Sequence, residues 1–384
     1  RVTVSTVEDW DEYVQWERAL LKDAFSEEGN IEELARTLTK GAQTPLEKIR
    51  KIFHYAAQEI RYQQDYENTI AGVKPHAAPV VIERGYGDCK DKAVLMIGLA
   101  KKLDLELRFA ILRTTNAGRV IKETPNQQFN HAIVYVPKQD GINDGFFLDP
   151  TTDGLDMGNL RYDDQGAVSL VFNPKDDSYE FISIPYQNPA FQAHHYSIDI
   201  NVKSVTKAEA NLRYSGRGTF AASARRILRN TEQAKKFYEK VGARMFVASS
   251  VVDATVKNND DIWKPLELNL NLNISNSVQT IGKAYRLKLP QTFPLNSVVS
   301  LNSRTTPLYM GVPDAIGTTV KVNLPRGFGF KDAPQNIELS HKCFSFTRQT
   351  KQKYRSLEIK TQYTRSCVEI TTEEYQSFRS AVQK

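Results

Sequence analysis

The sequence predicts an α+β protein, with a helix-rich, cysteine-bearing first part and a β-rich second part. Two periodicities predict it: apolar residues at helical spacing up to Leu103, and strict period-two alternation in segments such as Leu266-Glu-Leu-Asn-Leu-Asn-Leu-Asn-Ile274. The third observation is local. Cys89, one of three cysteines in 384 residues, stands in Gly87-Asp-Cys-Lys-Asp-Lys-Ala93 among charged and small neighbours. A cysteine kept for packing would sit among apolar ones.

From Trp10 to about Gln63 the chain reads as helical. Val14, Trp16, Leu20, Leu21 and Phe25, then Ile31, Leu34, Ala35 and Leu38, recur at helical spacing. Thr44-Pro-Leu-Glu47 starts a further helix, expected over 45–59: Thr44 caps, Pro45 takes the first helical position and Glu47 completes a capping box. Gly72, Pro75 and Pro79 make 68–79 a loop crossing toward Cys89. A new helix begins at Asp88, whose carboxylate caps free N–H groups, while Asp91 favours the positive helix end. Ala93, Val94, Leu95, Ile97, Leu99, Ala100 and Leu103 give it a wide apolar face, and Cys89 falls on its first turn. Strands are expected at 107–112, 132–136 and 146–148, the last two joined through Asp140-Gly141 and Asp144-Gly145. A helix packed on such an antiparallel sheet makes an α+β domain.

From about Ala193 the chain turns β-rich, interrupted over 219–247 by helical spacing at Phe220, Ala224, Ile227 and Leu228, then Ala234, Phe237, Tyr238 and Val241. The expected division is a cysteine-bearing domain over 1–190, a strand plus helical hairpin over 191–264, and a β-sandwich-like domain over 265–384.

Composition bounds the function classes. The length favours two or three domains, and no apolar run approaches the roughly 20 residues that span a bilayer. The net charge of +6 is dispersed. Nucleic-acid binding needs a concentrated basic face; Arg225, Arg226, Arg229, Lys235 and Lys236 would have to form it, and a solvated helix surface is the plainer reading. Cys343 and Cys367 lie in neighbouring strand-like segments, so they either pair, which implies an oxidising compartment, or stay as buried thiols. Both readings stay open. A chain that starts at Arg1 without Met is expected to be a processed or truncated product. No histidine stands at metal-ligand spacing and no phosphate loop is present, so no metal and no cofactor is expected.

The chemistry turns on Cys89. A thiolate is the nucleophile, and a helix N-terminus together with an imidazolium lowers a thiol pKa from about 8.5 to roughly 3–4 in the extreme. His131, after Asn130, and Asp149, in Phe146-Phe-Leu-Asp149-Pro150, are equally far in sequence from Asp140. A regular hairpin centred there places them opposite, about 4.5–5.5 Å apart at Cβ, where a carboxylate fixes an imidazole's tautomer. One extra residue would turn them to opposite faces. Alone, His131 reads as a satisfied core histidine and Asp149-Pro150 as a turn; together with a cysteine at a helix start they read as a triad. An oxyanion hole would use the Cys89 N–H and Tyr62, with Gln64 behind it; an aromatic after a helix is otherwise a core residue.

At these residues the chain resembles the bacterial transglutaminase-like superfamily: Gly87 to Ala93 at the nucleophile, Asn130-His131 ahead of a strand, and Leu148-Asp149-Pro150-Thr151 ending the next. The likeness covers roughly 20–153. It implies a papain-like fold, a triad of Cys89, His131 and Asp149, a β-domain ahead of the segment around Trp10, and export to the bacterial envelope, hence a periplasmic or otherwise exported location. It leaves the reaction open among cross-linking enzymes, peptidases, amidases and inactive members. The region after about residue 190 weakly resembles domains of unknown function that follow such cores.

The function expected is cysteine-dependent acyl transfer on peptide or protein amide bonds through a thioester. Hydrolysis is favoured over amine transfer because water needs no second site. The alternative is a catalytically silent binding or assembly module whose C-terminal β domain holds a protein partner. A loop 68–79 sealing Cys89 would favour the second.

Overall fold

Trp10–Ser26 (α1), Glu32–Leu38 (α2) and Pro45–His54 (α3) are helices where helical spacing predicts them. The structure, a computed structural model, describes residues 3–26, 31–64, 72–276, 278–290 and 295–383. At the start of α3, Thr44 Oγ1 accepts from the Glu47 N–H at 3.2 Å and Glu47 Oε2 accepts from the Thr44 N–H at 3.1 Å. That reciprocal pair satisfies two donors which the helix itself cannot. The expected helix over 45–59 finishes as a single π-helical turn, Tyr55–Glu59. The chain then becomes extended as Arg61–Tyr62 (β1).

Residues 65–71 of the segment after β1, including most of the Gly/Pro-marked loop's start, lie outside the described residues. The loop reading ends too late. Ala78–Arg84 is a helix (α4) with Pro79 in its first turn, where proline's missing N–H costs nothing. Gly85 closes α4 in the left-handed conformation, φ +67°. Tyr86–Gly87 (β2) then pairs in parallel with β1, Tyr62 beside Gly87.

Cys89–Lys101 (α5) is buried on nearly every side. It packs on the sheet formed by Arg108–Leu112 (β3), His131–Val136 (β4), Phe146–Leu148 (β5), Val168–Phe172 (β6) and Tyr179–Ser183 (β7), in the order β5-β4-β3-β6-β7. The first three match the expected strands. The last two are additions, five-residue runs framed by turn-forming residues and too short for a clear period. Alternation splits the sheet: Phe109, Ile111, Val134 and Val136 join the helices in one core, whereas Ala110, Leu112, Ile133 and Phe147 meet Leu160 and Ala167 in another. Leu95 and Leu99 of α5 are fully buried, each worth about 1.5–3 kcal/mol.

The second unit, Gln187–Lys384, opens with Ala193–Val202 (β8) and Lys207–Gly216 (β9). The expected helical hairpin follows as Gly218–Leu228 (α6) and Thr231–Met245 (α7), and then Ser249–Lys257 (β10) and Leu266–Ser275 (β11). Val278–Ile281 (β12) and Ala284–Leu287 (β13) form a small hairpin. After Leu295–Val298 (α8), Leu308–Tyr309 (β14) and Asp314–Asn323 (β15) come Ile337–His341 (β16), Phe344–Gln352 (β17), Ser356–Arg365 (β18), Glu369–Ile370 (β19) and a helix, Tyr375–Gln383 (α9).

The main sheet has eight strands in the order β10-β11-β9-β8-β15-β18-β17-β16. The expected boundary at 264 falls inside it. The chain brings β15 back in parallel beside β8 rather than founding a second sheet, so the strands expected in a sandwich-like domain extend the first ones. Alternation shows that a strand has one wet face; it does not show which strand lies beside it.

Cys343 and Cys367, at the open end of the β17–β18 pair, form a disulfide with Cα atoms 4.5 Å apart. Arg225 is buried and donates to the Lys264 carbonyl at 2.6 Å, which removes it from the basic row a nucleic-acid face would have needed. Among the described residues no helix is long and apolar enough to cross a membrane.

Candidate active site

Asp88 fixes the start of α5. Its Oδ1 accepts from the N–H groups of Lys90 (3.2 Å) and Asp91 (3.4 Å), and Asp91 Oδ2 accepts from the Asp88 N–H at 3.0 Å. Cys89 is thereby the first helical residue, half-buried, at the positive end of the helix. Asp91 also accepts from the His76 N–H at 2.8 Å, tying the approach to α4 onto the same turn. Of the two glycines ahead of Cys89, Gly85 only ends α4. Gly87 is the one required by close approach: a Cβ there would lie 2.7 Å from Asp91 Cβ.

His131 and Asp149 meet, by a different register from the one expected. A two-residue turn at Asp140-Gly141 is closed by Gln139 and Ile142, Gly141 having φ +71°. The returning arm then holds one residue more than the outgoing arm, and Val134 pairs with Leu148. Continuing that register sets Asp149 opposite Ile133, with His131 two residues further along. A shift of two keeps both side chains on one face. Diagonal neighbours lie roughly 7–8 Å apart, a span that the carboxylate and the distal ring nitrogen close: His131 Nε2 is 3.1 Å from Asp149 Oδ2. Nε2 is thus committed to Asp149, and the ring lies near enough to Cys89 to interact with it.

Burial works against a charged His131, but the Asp149 charge and hydrogen bond outweigh it and raise its pKa well above the ordinary value. Burial likewise opposes ionised Asp149, and the charge of His131 with hydrogen bonds from His131 and Thr151 more than offsets it, so its pKa is depressed. Thr151 supplies two of those bonds to Asp149 Oδ1, from its N–H at 2.8 Å and its hydroxyl at 2.6 Å. Both shifts favour an imidazolium beside a carboxylate in this buried, hydrogen-bonded pair.

Sequence reading missed Asp164. It is fully buried, with an oxygen 3.8 Å from His131 Nε2, and neither carboxyl oxygen accepts a hydrogen bond. Burial, then the Asp149 charge, push its pKa well above the ordinary carboxylate value, which favours the protonated form. Arg161 stands alongside, 3.9 Å from Asp149 Oδ2 and held by Asp163 at 2.6 and 3.0 Å. The only signal was the charged run Arg161-Tyr-Asp-Asp164. Its relevance depends on the unexpected strand β6, which folds this loop back over the face that carries His131.

Tyr62 is brought to the site by the β1–β2 pairing and is 40% exposed. Burial and the nearby Cys89 and Asp88 raise its pKa. Gln63 donates to the Gly87 carbonyl at 3.0 Å, and Gln64 follows it, exposed. Lys92, almost fully buried, donates to the Pro150 carbonyl at 3.2 Å and so supports the backbone beside Asp149; burial lowers its pKa to about 8. Asn130 holds Thr114 through its Oδ1 at 2.9 Å, a structural task.

Ligand atoms of His131, Asp149 and Asp164 lie within 4.8 Å of one another, a cluster absent from the expectation, which weighed only histidines and cysteines. The donor set fits a cation poorly: Nε2 is committed to Asp149, burial disfavours a charge on Asp164, and the Arg161 guanidinium already faces the same carboxylate as Nε2.

Residues 32–141 match the model of the transglutaminase-like superfamily, a span that includes Cys89 and His131. Residues 284–384 match DUF3858, a domain of unknown function with a solved structure. The chain thus carries a transglutaminase-like core followed by a β-rich C-terminal region. A crystal structure of a "putative protease" from Parabacteroides distasonis aligns with 98% of this chain at a TM-score of 0.57 and 12% identity, a likeness of fold. The alignment takes in 56% of that longer chain. No curated protein matches the sequence.

Proposed function

We propose that this protein is a cysteine-dependent acyl-transfer enzyme that hydrolyses amide bonds in peptide or protein substrates. One observation carries the reading: a part-buried cysteine on the first turn of a helix lies near an imidazole whose Nε2 is held 3.1 Å from a buried carboxylate. Cys89 Sγ attacks the carbonyl carbon, and the π electron pair moves onto oxygen. The Cys89 N–H, a first-turn donor with no partner inside the helix, and the Tyr62 hydroxyl are the groups we assign to receive that charge. His131, which already holds the thiol proton in the thiolate–imidazolium pair, passes it to the leaving amine as the C–N bond breaks. Water then attacks the thioester, giving its proton to His131, and the C–S bond breaks with its electron pair returning to sulfur. Asp149 keeps the ring oriented throughout.

The exposure of Cys89 and Tyr62 favours this reading over an occluded, silent module. Incubation with a mixed peptide digest, quenching in acid and intact-mass analysis should trap an acyl adduct on Cys89. Adducts that persist in Cys89→Ala, or none in the wild type, would count against the assignment. The Cys343–Cys367 pair supports an exported, oxidising location. Protein from cells alkylated at lysis without reductant should then show one modifiable thiol of three; three reactive thiols would argue for a reducing compartment.

A further inference from the structure

Within the second unit, α6 and α7 stand off from the sheet over a cavity of about 500 Å³. We propose that it binds a single-chain amphiphile with an anionic head group, free in solution and of the fatty-acid class. This inference is independent of any chemistry at Cys89.

The walls are apolar. Tyr196, Tyr214 and Phe220 line one side, with ring centroids 5.2 and 5.3 Å apart in succession. The Tyr214 hydroxyl is spent on His194 Nδ1 at 2.8 Å, so its ring alone counts as wall. The volume falls in the range of ligand pockets, roughly 300–1,000 Å³. At about 30 Å³ for a water-sized group it has room for on the order of a dozen methylenes.

The charged residues of the lining are all cations. Lys236, Lys240 and Arg244 project from one face of α7 at successive helical turns and are exposed. Like charges at this spacing repel, and none of the three has an ion-pair partner among the described residues. Arg244 lines the same cavity as Tyr196, near enough for its charge to act on that hydroxyl. An apolar chamber with an uncompensated cationic rim complements an apolar tail with an anionic head. A neutral apolar ligand would leave the repulsion in place.

Titration calorimetry of the whole chain with dodecanoate, hexanoate and dodecyltrimethylammonium, all below micellar concentration, tests this. Each buried methylene is worth about fourfold in affinity, so dodecanoate should bind at one site per chain and more than a hundredfold tighter than hexanoate. Joint Lys236→Glu, Lys240→Glu and Arg244→Glu, all at exposed positions, should weaken dodecanoate at least tenfold and leave the cationic amphiphile unweakened. Val241→Trp, which fills the cavity, should abolish binding of both twelve-carbon probes. Equal affinity for the two carboxylates, or charge reversal without effect, overturns the proposal. So does co-sedimentation with phosphatidylglycerol vesicles in the absence of any dodecanoate binding, which would make the row a membrane contact.

Discussion

His131 stands between a thiol and two carboxyl groups whose surroundings push them in opposite directions. Asp149, hydrogen-bonded by Thr151 and His131, is held toward the ionised form; Asp164, whose oxygens have no hydrogen-bond partner, is pushed by burial toward the protonated one. Asp149→Asn removes the charge that stabilises the imidazolium and should lower acyl transfer by on the order of 10³–10⁴-fold, read as kcat/KM on any amide substrate found. Asp164 is a positioning residue. An asparagine can still donate to Asp149, whereas a leucine cannot, so Asp164→Asn should keep the pH profile of Cys89 alkylation and Asp164→Leu should shift it. Linkage gives a second readout. A carboxyl whose folded pKa is raised binds more protons folded than unfolded, so it makes stability fall as pH rises from about 4 upward. With His131, Asp149 and Arg161 still facing the site, Asp164→Asn should therefore gain stability relative to wild type at pH 7 compared with pH 4.5 in urea unfolding. An unchanged difference would mean that Asp164 is ionised. The first three site residues were legible because each sits in a run with local meaning: a cap, a strand start, a strand end. Asp164 has no such local mark, and only tertiary folding gives it a neighbour.

Two elements set the geometry, the start of α5 and the β4–β5 hairpin. Asp88 is both cap and partner of the buried Lys90 ammonium. A lost cap costs about 1 kcal/mol, but a buried cation left alone costs about 3 kcal/mol or more. Asp88→Ala should show the larger loss in chemical unfolding, and Asp88→Asn, which still caps, should isolate the ionic part; equal, small losses would mean that water reaches Lys90. Gly87→Ala should be poorly tolerated for another reason, since its methyl carbon meets Asp91 inside the capping box. The cap was readable from Asp88, Cys89 and Asp91 in sequence because capping is a three-residue interaction. The hairpin was readable only to its face: the turn centred between Asp140 and Gly141 moved the pairing by one and an extra residue on the returning arm by one more, a shift of two that no local pattern of apolar residues distinguishes from the expected register.

At the scale of the whole chain, two units divide near Tyr186, close to the change from helical to alternating pattern. The second expected boundary failed because β8 and β15, more than a hundred residues apart, lie side by side, a long-range pairing that alternation leaves unspecified. The Cys343–Cys367 disulfide belongs to the second unit and spans 24 residues. A loop of that size contributes roughly 3 kcal/mol by restricting the unfolded chain. Calorimetry with and without reductant should therefore lower the transition of the second unit and leave that of the first unmoved. Two transitions shifting together would indicate that the units unfold as one.

The central claim, a thiol activated by His131, is tested most directly by the rate of Cys89 alkylation with iodoacetamide between pH 4.5 and 8, localised by mass spectrometry. The wild type should react faster than a free thiol throughout the acidic range, and His131→Ala should fall back to free-thiol behaviour. A wild-type curve that follows an ordinary thiol, with a midpoint near about 8.5, would contradict the account.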